Sequence, residues 1–104
     1  MEKVYVYKNS YEKYRVYPGV VVLSGGDKLR IVNASGATLT VVVPAGASEP
    51  SEDVELEIPA EDHGDVKIRK QGAGKTRAYS YKVATKVGKK KAHGNSDPVL
   101  IVEN

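Results

Sequence analysis

Along almost the whole chain, apolar residues fall at every second position. Val4 and Val6 alternate with Tyr5 and Tyr7, and Val54, Leu56 and Ile58 alternate with Glu55 and Glu57. Val66 and Ile68 alternate with Lys67 and Arg69, and Tyr79, Tyr81 and Val83 with Ala78, Ser80 and Lys82. A strand points successive side chains to opposite faces, so each segment reads as a half-buried β-strand. No stretch sustains the 3.6-residue apolar stripe of an amphipathic helix. Three continuous apolar runs, at 20–23, 41–43 and 99–102, read as strands buried on both faces.

Turn signals separate these segments at short intervals. They are Lys8-Asn-Ser, Pro18-Gly19, Ser24-Gly-Gly-Asp27, Asn33-Ala-Ser-Gly36, Pro44-Ala-Gly46, Pro59 through Asp65, Gln71-Gly-Ala-Gly74 and His93 through Pro98. Gly supplies positive φ and Asn and Asp bond their own backbone, so such clusters end strands. About eight short strands punctuated this often predict an all-β chain, a Greek-key β-sandwich of seven to nine strands. At 104 residues the expected organisation is a single domain over 1–104.

Composition removes several function classes. With no Cys there is no disulfide, thiolate metal site, iron–sulfur cluster or cysteine nucleophile. The apolar runs are far too short to span a membrane. The first residues carry no hydrophobic h-region, so a cytoplasmic location or a mature secreted form is expected. One Met, one Gln and no Phe or Trp stand beside abundant Lys, Glu and Val, the bias of a heat-adapted or designed chain. On this reading the chain melts above the ordinary mesophile range of about 45–65 °C; a thermal scan with a midpoint inside that range contradicts it.

The net charge of +3 hides an asymmetry. Residues 49–65 contain eight acids and no Lys or Arg, and residues 67–91 contain ten bases and no acid. Opposite charges facing across strands are ordinary sheet chemistry, so the two blocks are expected to pair as strands. Nucleic acid is disfavoured as a partner, because the basic stretch lacks the interleaved aromatics that stack bases. Separated charge blocks also permit self-association, which salt screens, so a monomer or such an assembly is expected.

Four stretches together resemble a known family. Pro18-Gly-Val-Val-Val-Leu-Ser-Gly-Gly-Asp-Lys-Leu-Arg-Ile-Val-Asn33 resembles the opening strands of a cupredoxin. Asn33-Ala-Ser-Gly-Ala-Thr-Leu-Thr-Val-Val-Val43 is similar to the plastocyanin segment that carries the first copper histidine. Tyr79-Ser-Tyr-Lys-Val83 resembles the strand leading into the copper cysteine, and Val99-Leu-Ile-Val-Glu103 the closing strand. The resemblance implies a cupredoxin-like (plastocyanin/azurin-type) β-sandwich. Its copper chemistry does not carry over. A blue-copper centre takes two His, a Cys thiolate and a long axial Met. On the matched positions this chain has Leu39 for the first His, Val83 for the Cys and Lys86 for the next His, and its one Met is Met1. The expectation is a frame without cofactor or blue-copper site.

The remaining chemistry is sparse. His63, in Glu61-Asp-His-Gly-Asp65, and His93, followed by Asp97, are the candidate metal ligands, and nickel, zinc or copper could bind if the two loops converged. The bland reading is that both are exposed polar turns. Gly72-Ala-Gly-Lys-Thr76 echoes a phosphate-binding loop, but Arg69 stands where the first Gly is required and a strand pattern follows. It reads as a hairpin turn. No nucleophile elbow accompanies either His, and Glu55 and Glu57 alternate outward into solvent, so no catalytic residue and no enzyme is predicted. The sharpest surface feature is Lys86, Lys89, Lys90 and Lys91, candidates for docking an acidic protein partner or polyanion, with a solubilising loop as the bland reading. Asn33-Ala-Ser35 matches a glycosylation sequon inside a predicted turn. Tyr5 with Tyr7, and Tyr79 with Tyr81, each share a strand face; an exposed pair would form a recognition patch.

Overall fold

The computed structural model describes residues 2–49, 52–72, 74–92 and 97–103. Ten strands follow in order: β1 Glu2–Lys8, β2 Tyr14–Tyr17, β3 Val20–Ser24, β4 Lys28–Ala34, β5 Leu39–Val43, β6 Val54–Ile58, β7 His63–Lys67, β8 Thr76–Ser80, β9 Lys82–Thr85 and β10 Val99–Glu103. One layer is a four-stranded sheet in the order β2-β1-β4-β7. The other is made of β3-β10-β8 and β6-β5-β9. These two ladders are continuous through Tyr81, the single residue between β8 and β9, where pairing passes from β10 to β5. That break, and the short β2, account for ten strands where seven to nine are expected.

The core lies between the layers and follows the alternation. Val4 and Val6 of β1, Leu29 and Ile31 of β4 and Val66 of β7 face Leu39, Val41, Val83, Leu100 and Val102 across it, all buried. The three continuous apolar runs do not behave as expected. Val21 and Leu23 are buried, but Val20 and Val22 are 53% and 48% exposed. Strand β3 sits at the edge of its layer, and among the described residues no strand covers its outer face. Val42, Val99 and Ile101 are likewise only half-buried, because the second layer is solvated on its outside.

The acidic and basic blocks do not pair as strands. Strand β6 pairs with β5, and β5 separates it from β9. Strand β7 pairs with β4, and β8 with β10. The described ion pairs linking the blocks are Lys67–Glu49 at 3.9 Å and Lys86–Glu57 at 2.6 Å. The glycine-rich 72–76 segment is not a hairpin either, since β7 and β8 lie in different layers and it carries the chain between them.

Two local devices hold the loops. The Tyr79 hydroxyl donates to Gln71 Oε1 at 2.5 Å, and Gln71 Nε2 donates to the Gly46 and Arg69 carbonyls. The ring packs on Gly46, where a Cβ would lie 2.6 Å from Tyr79 Cε1. Gly46→Ala is therefore expected to lower stability by about 1–3 kcal/mol through overpacking; a melt unchanged from the parent contradicts this. Tyr81 shares the inward face with Tyr79, but its hydroxyl is buried and has no hydrogen-bond partner among the described residues. Tyr81→Phe removes an unpaired buried group and is expected to raise stability by about 1 kcal/mol. A loss of that size in denaturant titration would show that the hydroxyl is partnered.

Burial also pushes the Tyr81 phenol well above the usual tyrosine range. The unfolded chain ionises near pH 10, so the preference for the folded state is intact below that and falls as pH rises toward the raised folded value. Tyr81→Phe should flatten this alkaline limb.

Candidate functional site

The end of the sandwich where β5 begins and β9 ends gathers the positions matched to copper ligands. Leu39 pairs with Thr85 and with Ile58, and Val41 pairs with Val83. Leu39 is fully buried, and Val83 and Thr85 are buried beside it. Hydrocarbon from Leu39 and Val83 fills this end, and neither side chain carries a donor atom.

Beside these positions, Thr85 anchors the loop that follows by hydrogen bonds. Its hydroxyl donates to the Val87 carbonyl at 2.8 Å and accepts from Lys90 N at 2.9 Å, while its own N–H donates to the Lys90 carbonyl at 2.9 Å. Lys86 N donates to the Thr38 carbonyl and Ala92 N to the Val83 carbonyl. These bonds close residues 86–91 into a tight loop, with Gly88 and Lys89 both at positive φ. Such a pinned loop presents its side chains outward in a fixed pattern.

Across the same end, Asn33 is a buried hub. Its Nδ2 donates to the Ala37, Ile58 and Pro59 carbonyls at 2.7, 3.0 and 3.0 Å. Its Oδ1 accepts from Ser35 N at 3.0 Å and Ser35 Oγ at 2.7 Å. The sequon amide is thus buried and fully engaged rather than presented to solvent.

The lysines of the loop diverge. Lys86 reaches Glu57. Lys86, Lys89 and Lys91 line a trough of about 510 Å³ on the outer face of the second layer. Its floor is Thr40, Val42 and Ala84, and Glu55, Glu57 and Lys82 rise beside it. Lys90 turns instead toward Tyr14 and Val87. Among the described residues Lys89, Lys90 and Lys91 have no carboxylate partner. Sequence reading missed Lys82 and the trough, because only the order β6-β5-β9 places Glu55, Val42 and Lys82 in one row.

The candidate metal ligands are placed differently from expectation. His63 begins β7 rather than lying within a turn, and its ring is 3.8 Å from Asp62 Oδ1 on an exposed face of the first layer. Asp97 lines the trough on the other layer, so these two are not brought together. His93 lies outside the described residues. Among the described residues no group of three His, Cys, Asp or Glu is placed to hold a metal. No described helix is long and apolar enough to cross a membrane.

Strand order, the closed β5–β9 end and the buried ladder between them define a cupredoxin-like β-sandwich without the copper ligands. Solved structures with this fold include the oxidized plastocyanin from Dryopteris crassirhizoma, at TM-score 0.59 and 19% identity over 97% of this chain and 99% of that one. Amicyanin from Paracoccus versutus (Thiobacillus versutus) aligns at TM-score 0.57 and 15% identity, over 98% of this chain and 80% of that one. A reduced Cu(I) amicyanin variant aligns at TM-score 0.57 and 14% identity, over 98% and 81%. At these identities the likeness is one of fold. No protein-family model matches the chain, and no curated protein matches it in sequence.

Proposed function

We propose that this chain is a non-enzymatic binding module that uses a cupredoxin-like frame, without its metal, to present the 86–91 lysine loop to an acidic protein partner. The observation that carries the reading is the loop itself. Thr85 pins it at both ends, and Lys89, Lys90 and Lys91 stand without carboxylate partners among the described residues. A rigid cationic loop loses little conformational entropy on docking, and its field steers an acidic surface toward it. Lys86 contributes less, because Glu57 already neutralises it.

An amide NMR titration with a poly-glutamate peptide tests this at low and at physiological salt. Signals of residues 86–92 should shift and saturate at low salt, and the affinity should fall with salt. The double variant Lys89→Glu with Lys91→Glu should bind at least about tenfold more weakly, since like charges across an interface repel. Shifts confined to other regions, or an unaltered affinity in the double variant, overturn the proposal.

A further inference from the structure

The outer face of the β2-β1-β4-β7 sheet carries a second surface, separate from the lysine loop. Side chains of one parity point outward from all four strands, and the registers line them up. Tyr17, Tyr5, Val32 and His63 form one row across the sheet. Arg15, Tyr7 and Ala34 form the next, and Lys3, Arg30 and Asp65 flank the first row on its other side. Lys28 and Lys67 pair one row beyond. Tyr17, Tyr5 and Tyr7 are 67%, 44% and 38% exposed, so their rings cover no core and face solvent.

Positive charges outnumber negative ones on this face, where Asp62 lies 3.8 Å from the His63 ring at one edge. Arg30 makes a two-pronged pair with Asp65, at 2.9 and 3.0 Å, which consumes the one carboxylate in these rows. That guanidinium holds the Asp65 carboxyl below the usual range, with smaller contributions from His63 and Lys28. Lys3 and Lys28 have no acidic partner among the described residues, and Lys67 reaches Glu49 at 3.9 Å. The acidic Glu55 and Glu57 lie on the opposite layer.

We infer that this face is a platform for single-stranded nucleic acid, with Tyr5, Tyr7 and Tyr17 stacking bases and Lys3 and Lys28 meeting phosphates. Neighbouring rings on paired strands are about 5 Å apart at Cβ, and those two residues apart along a strand are about 7 Å apart. Three rings at such spacings offer π-faces to two or three successive bases, as aromatic residues on open four-stranded sheets do. Cations beside aromatics match the charge and the planar groups of a nucleic-acid strand together. The sequence-based expectation that nucleic acid is disfavoured considers residues 67–91 alone. The aromatics come from residues 5–17, and only the parallel β1–β4 register sets them beside Lys28 and Arg30.

The test is fluorescence anisotropy of a labelled oligouridylate of about 12 nucleotides at about 50 mM salt, with heparin as a polyanion lacking bases. Saturable binding is expected. Tyr5→Ala and Tyr17→Ala should each weaken it about tenfold without changing the salt slope, and should leave heparin binding alone. Lys3→Ala and Lys28→Ala should weaken it and reduce the magnitude of the salt slope by about 0.7 each. Lys89→Ala with Lys91→Ala should have no effect, which separates this face from the loop. Absence of saturable binding overturns the inference. So does binding lost in the loop variant but retained in the tyrosine variants. Sedimentation showing that the tyrosines instead hold two copies of the chain together also overturns it. All these side chains are exposed, so the variants should melt close to the parent.

Discussion

Replacing Asn33 with alanine should unfold this protein more readily than any other single polar change, lowering stability by about 3–4 kcal/mol. Five hydrogen bonds converge on its side chain in a buried position. Truncation would leave the Ala37, Ile58 and Pro59 carbonyls without that donor, and Ser35 without its acceptor. Each unsatisfied buried group costs about 1–3 kcal/mol, partly relieved where water can reach it. For a domain of this size the melting midpoint should fall by roughly 12–30 °C. Asn33→Asp isolates the cause. It is nearly isosteric, yet a carboxylate cannot donate and would face three carbonyl oxygens. It should be at least as destabilising as alanine at neutral pH. If Asn33→Asp is well tolerated in thermal and denaturant melts, the hub is not what ties β4 to the β6–β7 turn.

The second large effect is expected at Leu39. Leu39→Ala should destabilise by about 2–5 kcal/mol, the lost transfer energy plus the cavity left behind. Leu39 is fully buried at the first position of β5, between Ile58 and Thr85 on its two partner strands. Both neighbours are fixed by the sheet, so the site has little room to collapse. Leu39→Met conserves volume and should cost less than about 1.5 kcal/mol. Equal and small losses for both variants, measured by denaturant titration, would mean that this end of the sandwich is open rather than packed.

Much of this architecture is legible in the residues. Alternation alone orients Val4 and Val6 inward and Tyr5 and Tyr7 outward, and the structure has them so. The Ser24–Asp27 turn follows from its residues, with Ser24 N donating to Asp27 Oδ2 and Gly26 at positive φ. The match of Leu39 and Val83 to metal-ligand positions places both in the same buried ladder. What sequence could not show is which strands neighbour which. Complementary charge suggests that residues 49–65 pair with 67–91, but β5 is the better partner for β6 because it offers Val41 and Val43 opposite Leu56 and Val54. The run 20–23 reads as doubly buried because its composition is uniformly apolar, whereas burial depends on whether another layer lies over β3. The trough beside Lys89 and the tyrosine-bearing face are likewise products of strand order, each assembled from segments far apart in the chain.

Everything above depends on the end of this cupredoxin-like frame where β5 begins and β9 ends being packed hydrocarbon closed by a threonine-pinned loop. The most direct measurement is an amide NMR titration of metal-stripped protein with Zn(II) and then Cu(II). The signals of Thr38, Leu39, Val83, Thr85 and Ala92 should stay in place at one equivalent of either ion, with any perturbation confined to the two histidines, His63 and His93, and their sequence neighbours. Saturation at one equivalent, with those buried signals moving together, would contradict it.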